Sequence, residues 1–575
     1  MKLFSTRLGF DADRDTDYLL LGGWCLEKPQ FIEGYSYVNK KICRPFGFLE
    51  RERKLIDELV SEYYPKLLKD LADSLNEYHG VNFEKRYWEI IVGSWVFRFL
   101  QLTLNRYFQI KTAIKIFPEI RSHHCIKGEL EILVGLDEFD SVRRIASDGW
   151  NSILYRYLFE KYFQNIENIY VDVCEGVDEH RRKESWKLIF ANKGFLNRND
   201  EFFLYKTYLH NYREIALHLA LGQVPVKWYS TKKIADAPFD KNVRSQLLQK
   251  TTRTEVEKVL WDVIPLLLPK AFLESYQQNI EVVKSYNWPD KPRLIYTANG
   301  FAGDLHFQMW LAQKSVVEKV NYLVGQHGNN YGTLAWSWLW PELTTPNGFI
   351  SWGWKTKQGN CSRVIKGYNF IGRKLSKGNS KSVMIVMRGA GNRSAAACRY
   401  FEFMIDLNNA HKLASFFENK SCWSVSIRAH HGTSFKVVES FFGTLVSKPG
   451  SNVSLDKGIA KISRLSKNFG LLIFTYDSTG FLEALQNNKP CLAIFEEWQE
   501  RLTPSASKDY EVLIKVGIIH HSIESIQTQL TGVLKNLERW WEDENLQLAR
   551  RYFVNKYSCE IDESEKSLAE IIQRF

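Results

Sequence analysis

The distribution of apolar and polar residues predicts alternating strands and helices in the C-terminal part of the chain. Leu471–Phe474 is a continuous apolar run with the length of a buried parallel strand. A polar turn follows, and then apolar residues at helical spacing over Phe481–Leu485, which end before Pro490. Cys491–Phe495 is a second apolar strand. This pattern predicts a strand–loop–helix–strand unit of an α/β domain.

The same alternation extends toward the N-terminus. The predicted elements before this unit are strands Ser382–Met387 and Trp423–Ile427 and helices Tyr400–Phe417 and Leu455–Leu465. A second block has strands Arg293–Tyr296, Asn321–Val324 and Phe349–Trp354, with a helix over Asp304–Lys319. Parallel strands joined by helices are typical of open α/β sheets, which bind ligands at the carboxyl ends of their strands.

The N-terminal part of the chain is predicted to be richer in helix. Asp17–Leu20 leads into a glycine turn and is predicted to be a first strand, and residues 51–80 and 84–110 are predicted to be long helices. Residues 120–290 show mostly helical patterns. Residues 359–380, rich in Gly, Lys, Ser and Asn, are the predicted hinge.

These patterns predict two α/β lobes with a cleft between them and a helical tail. The predicted boundaries are 1–365 for a helix-rich acceptor-side lobe, 366–540 for a Rossmann-like nucleotide-binding lobe and 541–575 for a tail that packs back toward the first lobe. At 575 residues the chain is too long for one core.

The composition disfavours several classes of protein. The formal charge is +11, which suits an anionic ligand or an anionic membrane face, but the basic residues form no stripe interleaved with aromatics, so nucleic acid is not favoured. The nine cysteines form no C-x-x-C pair, which argues against a metal centre or disulfide framework and favours the cytoplasm. The opening residues MKLFSTRLGFDADRD lack the long apolar core of a signal peptide, and no apolar run reaches the ~18 residues that a membrane span needs, so a soluble or at most peripheral protein is expected.

The loop after Phe474 is the first candidate site. Asp477, Ser478, Thr479 and Gly480 lie at a predicted helix N-terminus, where backbone N–H groups and the helix dipole favour a phosphate. Glu483 follows one turn later and has the chemistry to bind a ribose diol. The structural alternative is that Ser478 or Thr479 only caps the helix.

A second candidate site follows strand Asn321–Val324. Gln326, His327, Gly328 and Tyr331 lie in a glycine-rich loop, where they are predicted to bind substrate, and His327 can exchange a proton near neutral pH. The alternative is a connecting loop without a binding role. Gly22 and Trp24, which follow the first predicted strand, are further predicted substrate contacts.

Basic side chains follow two other strands of the C-terminal lobe. Arg388, Arg428 and His430 are predicted to join the loop at Asp477 around one nucleotide site, because parallel strands end at one edge of a sheet. His430 and His431 lack a third ligand at metal spacing, so no metal is predicted there.

Several blocks together resemble a transferase family encoded in bacterial surface-polysaccharide gene clusters. They are LLLGGWCL, LNEYHGVNFEKRYWEIIVGSW, GDLHFQMWLAQ, GQHGNNYG, ISWGW, DSTGFLEALQNNKP and ERWWEDENLQLARRYFVNKY. That family is similar to GT-B glycosyltransferases and more distantly to capsule-building Kdo transferases. The resemblance implies a GT-B-like α/β fold of two Rossmann-like lobes.

The resemblance also implies site residues. Gln326 takes the place of a Gln-Gly motif, His430 that of a His-Pro motif, and Ser478, Thr479 and Glu483 that of a Ser-rich loop before a Glu-bearing helix. Here His430 is followed by His431 instead of proline, and residues 11–15 replace a threonine-rich opening.

The leading functional hypothesis is a cytoplasmic enzyme without metal or cofactor that builds capsule or lipopolysaccharide. It would transfer a sugar from a nucleotide-activated donor, such as a CMP-activated ulosonic acid, to a glycan or lipid-linked acceptor near the anionic inner membrane. Asp304 or His327 is the predicted catalytic base. The alternatives are a CDP-polyol phosphotransferase and a non-catalytic glycan-binding assembly protein.

Overall fold

The computed structural model describes most of the chain. The described residues are 1–12, 14–26, 41–172, 201–247, 254–301, 303–335, 340–355, 363–370, 375, 378, 381–389, 400–418, 420–430, 435–496 and 501–575. They form three parallel sheets flanked by helices. The predicted α/β class is therefore confirmed.

The first sheet comes from the N-terminal residues and has the order β2-β1-β3-β4. Its strands are β1 (Lys2–Phe4), β2 (Tyr18–Leu20), β3 (Ser122–Ile126) and β4 (Glu167–Val171). The second sheet has the order β5-β6-β7-β8-β9. Its strands are β5 (Phe202–Tyr205), β6 (Leu294–Thr297), β7 (Tyr322–Gly325), β8 (Gly348–Ser351) and β9 (Val364–Lys366).

The third sheet has the order β12-β11-β10-β13-β14-β15. Its strands are β10 (Ser382–Val386), β11 (Ser424–Arg428), β12 (Val453–Asp456), β13 (Leu471–Phe474), β14 (Cys491–Ile494) and β15 (Ile519–His520). The strand order reverses between β10 and β13, and in open parallel sheets such a switch point is where ligands bind.

Helices cover the sheets. In the first half of the chain they are α1 (Glu50–His79), α2 (Lys85–Ile116), α3 (Glu138–Arg144), α4 (Asp148–Tyr162), α5 (Asn211–Ala220), α6 (Lys241–Gln246), α7 (Glu255–Leu267), α8 (Tyr276–Lys284), α9 (Leu305–Ala312) and α10 (Pro341–Thr344). In the second half they are α11 (Tyr400–Phe417), α12 (Phe435–Val446), α13 (Ile462–Leu465), α14 (Thr479–Gln486), α15 (Pro504–Lys515), α16 (Ile523–Val533), α17 (Leu537–Trp541), α18 (Glu544–Tyr557) and α19 (Ser564–Gln573). No helix in the described ranges combines the length and apolarity needed to cross a bilayer.

One expectation about secondary structure was incomplete and another was wrong. The stretch 120–290, expected to be mostly helical, also contains β3, β4 and β5, so the first half of the chain has two sheets. The helix expected over Leu455–Leu465 is the strand β12 followed by a turn and the short α13. Gly458 adopts a left-handed conformation there (φ 73°), which interrupts the helical spacing of the apolar residues.

The second and third sheets face each other through the loops at their carboxyl ends. The backbone N–H of Asn329, after β7, donates to Thr479 Oγ1, after β13, at 3.0 Å. The amide group of Asn329 donates to Asp477 Oδ1 at 2.7 Å. A second bridge joins Thr503 N–H to the carbonyl oxygen of Thr333 at 2.8 Å. The edges where parallel sheets place ligand contacts therefore meet at one junction.

The C-terminal tail packs against the second sheet. Leu568 and Ile572 of α19 lie in a buried cluster with Leu204 of β5 and Leu294 of β6. Asn321 also donates its side-chain N–H to the carbonyl oxygen of Phe575 at 3.1 Å. The chain therefore returns to the sheet that carries Gln326. The predicted domain boundaries themselves stay a prediction, and most of the predicted hinge 359–380 lies outside the described residues.

Candidate active site

A chain of hydrogen bonds follows β7. Tyr331 is buried and donates its phenol O–H to Glu342 Oε1 at 2.7 Å. His327 Nδ1 lies 3.2 Å from the same phenol oxygen, and Nε2 lies 3.4 Å from it. Because the single phenol proton goes to Glu342, the hydrogen bond from His327 must run from a ring N–H to the phenol oxygen. In either tautomer the other ring nitrogen keeps its lone pair, as a general base requires.

The ionisation of this chain follows from its burial. Burial raises the pKa of Tyr331, and the neighbouring carboxylate of Glu342 raises it further, so the phenol keeps its proton. Burial also raises the pKa of Glu342, although His327 and the hydrogen bond from Tyr331 act in the opposite direction. The neutral phenol of Tyr331 thus links the His327 ring to Glu342 and holds its orientation.

Left-handed backbone occurs in the loop that contains His327 and in the loop that contains its neighbour Tyr208. Lys206 (φ 44°) and Tyr208 (φ 62°) after β5 and Asn330 (φ 76°) after β7 are non-glycine residues in the left-handed region. Such conformations are costly and cluster at functional sites. The ring of Tyr208 packs edge-on against that of His327, with centroids 5.7 Å apart. These loops therefore converge on the imidazole.

Asp304, the other predicted base, lies among several hydrogen-bond donors that contact both of its carboxylate oxygens. Its carboxylate accepts hydrogen bonds from Tyr205 and Ser230, both at 2.6 Å, and pairs with Lys206 at 2.5 Å. It also caps α9 by accepting the N–H of Phe307. Burial alone would raise its pKa, but Lys206 and the hydroxyl donors hold the pKa of Asp304 below its ordinary value. This environment stabilises a carboxylate that stays ionised and already accepts several hydrogen bonds, and the predicted role of Asp304 as a base stays a prediction.

Gln326 ties the loops of the second sheet together. Its Oε1 accepts the backbone N–H of Trp352 at 2.9 Å and the indole N–H of Trp354 at 2.8 Å. Its amide N–H donates to the carbonyl oxygen of Gly328 at 2.8 Å. Gln326 is buried and stabilises these loops, and its predicted contact with substrate stays a prediction.

The N-terminus of α14 lies across the junction from His327. Ser478 accepts the N–H of Phe481 at 3.1 Å, so its hydroxyl is the helix cap. Thr479 Oγ1 accepts from Asn329, and a Cβ placed on Gly328 would lie 3.2 Å from that oxygen. Both hydroxyls predicted to bind nucleotide therefore have protein partners, and Gly328 permits the close approach.

The remaining residues of the α14 loop are packed closely. A Cβ on Gly480 would lie 3.2 Å from the ring of Phe474, and Glu483 is buried one turn into the helix. Asp477 is also buried, and Tyr510 donates to its Oδ2 at 3.0 Å. Burial raises the pKa of Asp477 to about 7, although the hydrogen bonds from Tyr510 and Asn329 act in the opposite direction.

Arg388 follows β10 at the switch point but is neutralised there. It forms ion pairs with Glu402 and Asp406 of α11, and its guanidinium lies over the ring of Tyr476, 5.4 Å from the centroid. Arg501 pairs with the same Glu402. Burial and the nearby Glu402 raise the pKa of Asp406 to about 7, although Arg388 lowers it. The guanidinium predicted to bind phosphate is thus part of a buried ion network.

Arg428 and His430 lie at the end of β11. Arg428 pairs with Asp456 Oδ1 at 2.6 Å and donates to the carbonyl oxygen of Gly458 at 3.2 Å. Arg428 therefore binds the turn after β12, whereas the sequence predicted that it would bind phosphate. His430 is exposed and lies beside Gly389, where an added Cβ would be 2.5 Å from its Nδ1.

Gly22 and Trp24 belong to the first sheet, not to the sheet that carries Gln326. Trp24 is buried and donates its indole N–H to the carbonyl oxygen of Ser5 at 3.0 Å. Gly22 lies so close to the indole that an added Cβ would be 2.2 Å from the ring. The structure thus explains Gly22 by local packing, and the predicted substrate contact stays a prediction.

Sequence reasoning missed Glu342, Asn329 and Tyr208. Glu342 lies in a stretch without strand or long-helix periodicity, so nothing in the pattern connects it to Tyr331. Asn329 is an amide in the same glycine-rich loop as His327, and that position was the available signal. Among the residues that the structure describes, no group of three or more His, Cys, Asp or Glu side chains is arranged to hold a metal ion.

The fold and the junction define an α/β protein whose two facing sheets present their ligand-binding edges to each other. The model of the LIC12162 family transferases matches residues 1–572. The chain therefore belongs to the LIC12162 transferase family, and the predicted transferase class is confirmed. A search of curated protein sequences finds no match.

Several solved structures are similar to this chain at a low level. TarM is 15% identical with a TM-score of 0.30, over 49% of this chain and 53% of TarM. A Thermobaculum terrenum O-GlcNAc transferase mutant is 10% identical with a TM-score of 0.35, over 91% of this chain and 96% of that one. The Neisseria meningitidis UDP-GlcNAc 2-epimerase bound to UDP-GlcNAc is 13% identical with a TM-score of 0.36, over 65% and 100%. Scores this low carry no functional argument, so the class rests on the family match.

Proposed function

We propose that this transferase moves a sugar from a nucleotide-activated donor to the hydroxyl group of a surface-glycan precursor. The observation that carries the proposal is the junction itself. His327, held by the buried Tyr331 and its partner Glu342, lies on one side, and the N-terminus of α14 lies on the other. A base for the acceptor hydroxyl and a site for the leaving phosphate are two groups that can promote glycosyl transfer.

In this proposal His327 removes the proton from the acceptor hydroxyl as the new glycosidic bond forms. Tyr331 and Glu342 orient the ring, and Gln326 fixes the loop. The bond between the sugar and the nucleotide phosphate breaks, and the phosphate leaves with the bonding electrons. The backbone N–H groups and dipole at the start of α14, near Thr479 and Gly480, stabilise its charge without a metal.

The nucleotide would occupy the crevice at the β10/β13 switch point, with Glu483 near the ribose. The ion pairs of Arg388 and Arg428 make them weaker candidates for phosphate binding than the helix N-terminus. We further propose a CMP-activated ulosonic acid as donor and a glycan or lipid-linked glycan of capsule or lipopolysaccharide assembly as acceptor, used on the cytoplasmic side of the membrane.

A panel of CMP, CDP, UDP, GDP and dTDP in a thermal-shift assay tests the donor site. A ligand at about 100 times its dissociation constant stabilises the folded protein by roughly 2.7 kcal/mol, which moves the melting midpoint measurably. The shift should be lost in Glu483→Gln and kept in Glu511→Gln, an exposed glutamate on neighbouring α15.

The outcomes separate the hypotheses. A shift with CMP alone supports an ulosonic-acid donor, and a shift with UDP, GDP or dTDP replaces that donor while keeping sugar transfer. Incorporation of donor phosphorus into the product would instead identify a polyol-phosphate transferase. No shift with any nucleotide would overturn the proposal.

A further inference from the structure

Exposed apolar side chains are concentrated on and around α5. Of the fifteen large apolar side chains that are exposed in the described part of the chain, five lie between residues 208 and 224. They are Tyr208, Tyr212, Ile215, Leu219 and Val224, with 40% to 63% of their surface exposed. Single exposed apolar residues are ordinary, but a local group of this kind marks an interaction surface.

The apolar residues of α5 itself share one face. Tyr212, Ile215 and Leu219 are spaced by three and four positions, which places them in one stripe along the helix. The opposite side of the helix is anchored, because Leu217 is fully buried in the cluster formed with the second sheet and α19. Arg213 adds an ion pair to Glu565 at 3.2 Å. The helix is therefore held from behind with its apolar stripe turned outward.

The segments before and after α5 carry cations. Residues 206–233 contain five Lys or Arg residues and a single acidic one, Glu214, whose carboxylate accepts the hydroxyl of Thr207 at 2.6 Å. Two of the five, Lys206 and Arg213, pair with Asp304 and Glu565. Lys227, Lys232 and Lys233 are exposed. Lys227 donates to the neutral amide of Asn211 at 2.9 Å and Lys232 to the carbonyl oxygen of Ser285 at 3.0 Å, so these contacts leave their charges uncompensated.

We propose that this surface, the outward face of α5 with Tyr208, Val224 and the three lysines, docks the protein on an anionic phospholipid bilayer. Apolar side chains insert at the level of the acyl boundary, tyrosine rings suit the headgroup region, and each lysine near an anionic surface adds attraction. The net charge of +11 acts in the same direction. An anionic bilayer matches both parts of this surface, because it offers an apolar interior to the stripe and negative headgroups to the exposed lysines.

The docking surface is continuous with the candidate active site. Tyr208 belongs to the surface, and its ring packs 5.7 Å from that of His327. Docking through α5 would therefore hold the imidazole close to the headgroups, where the sugar of a lipid-linked acceptor lies. This last step rests on the proposed function, whereas the binding of the bilayer does not.

Sedimentation with vesicles tests the surface. The full-length protein should sediment with vesicles made of equal parts of phosphatidylglycerol and phosphatidylcholine. It should stay in the supernatant with vesicles of pure phosphatidylcholine. Ile215→Ser with Leu219→Ser should weaken binding about 10- to 100-fold, because both apolar side chains lose their burial in the bilayer. Lys227→Gln, Lys232→Gln and Lys233→Gln together should weaken it at least tenfold and reduce its dependence on salt.

Matched controls keep the test decisive. Ile459→Ser with Leu548→Ser removes two other exposed apolar side chains and should leave vesicle binding unchanged. All variants should melt like the parent, because the replaced side chains are exposed. Equal loss in the control pair, or unchanged binding in the α5 pair, overturns the proposal. So does a change from dimer to monomer in the α5 pair without loss of vesicle binding, which would identify a contact between copies.

Activity measurements separate this inference from the proposed function. With a water-soluble acceptor, the α5 variants should transfer sugar at the parent rate. Vesicle binding without any sugar transfer would overturn the proposed function and leave the docking surface standing.

Discussion

The buried carboxyl group of Asp477 should make the stability of the junction depend on pH. Asp477 is 5% exposed and accepts hydrogen bonds from Asn329 at 2.7 Å and Tyr510 at 3.0 Å. Both partners are neutral, so their hydrogen bonds offset only part of the hydration that a buried charge loses. Burial accordingly raises the pKa of Asp477 to about 7. Asp477→Asn keeps a neutral group of the same shape and removes the titration.

The magnitude follows from the difference between folded and unfolded states. An unfolded aspartate has a pKa of about 3.9, so the shift is about three units, or about 4 kcal/mol. Because the folded-state pKa is raised, the stabilising contribution is complete below pH ~4 and is lost as pH rises through about 7. The free energy of unfolding of Asp477→Asn, relative to the parent, should therefore increase by about 4 kcal/mol between these limits.

Urea unfolding from pH 4.5 to 8.5, followed by tryptophan fluorescence, measures this difference. Asp304→Asn is the matched control, because the pKa of Asp304 is lowered by Lys206 and by its hydroxyl donors against the effect of burial. Its stabilisation is complete above its unfolded pKa and is lost only at more acidic pH, so its difference from the parent should stay level over the same range. A level difference for Asp477→Asn as well would refute the assignment of a buried, titrating carboxyl group.

Three further substitutions test the site and its supports. Glu342→Gln should lower kcat about 10- to 100-fold with an unchanged KM for the donor, because His327 loses the charged end of its hydrogen-bonded chain; steady-state kinetics that show only a raised KM would contradict this. Gly332→Ala should lower the free energy of unfolding by about 1–3 kcal/mol, since φ is 73° and the new Cβ would lie 2.5 Å from the ring of Trp354; Gly532→Ala, with open space around it, should not destabilise in the same melting assay. Ser478→Ala should cost about 1 kcal/mol through the lost helix cap and also weaken nucleotide binding by calorimetry, whereas Ser522→Ala, the cap of α16, should cost the same without affecting nucleotide.

The C-terminal sheet could be predicted closely because its strands are short apolar runs bounded by polar residues. Leu471–Phe474 was predicted with the bounds that the structure has, and Tyr400–Phe417 likewise. Buried parallel strands need apolar residues on both faces, so each run is visible without any knowledge of its neighbours.

The first sheet lacks that signal. β3 has the sequence SHHCI, and its histidines are accommodated by specific partners. His123 Nε2 lies 2.8 Å from Ser5 Oγ, and His123 Nδ1 lies 2.7 Å from Asn168 Oδ1. Both ring nitrogens therefore have hydrogen-bond partners in the interior. The partners come from residues far apart in the chain, so a local pattern assigns these residues to a polar stretch instead of a strand. For this reason β3 was missed within the stretch 120–290, whose helices are present as expected.

In the candidate site, too, the positions of residues along the chain could be predicted, but their contact partners could not. The sequence placed His327 and Asp477 correctly at strand ends, because strand ends are local. It could not show that Glu342 would hold Tyr331, or that Asn329 would join the two sheets, because these contacts depend on how distant elements pack.

The positions of Arg388 and Arg428 could be predicted from the sequence, but their carboxylate partners could not. Arg388 and Arg428 were predicted to bind phosphate because they follow parallel strands, and they do follow them. A guanidinium that is partly withdrawn from water at such a place requires a carboxylate, and Asp406 and Asp456 provide one each. Their positive charge is thus used within the protein, which leaves the N–H groups at the start of α14 as the groups best suited to an anion at this edge. We therefore expect phosphate binding here to depend more on the geometry of the Asp477–Gly480 loop than on either arginine.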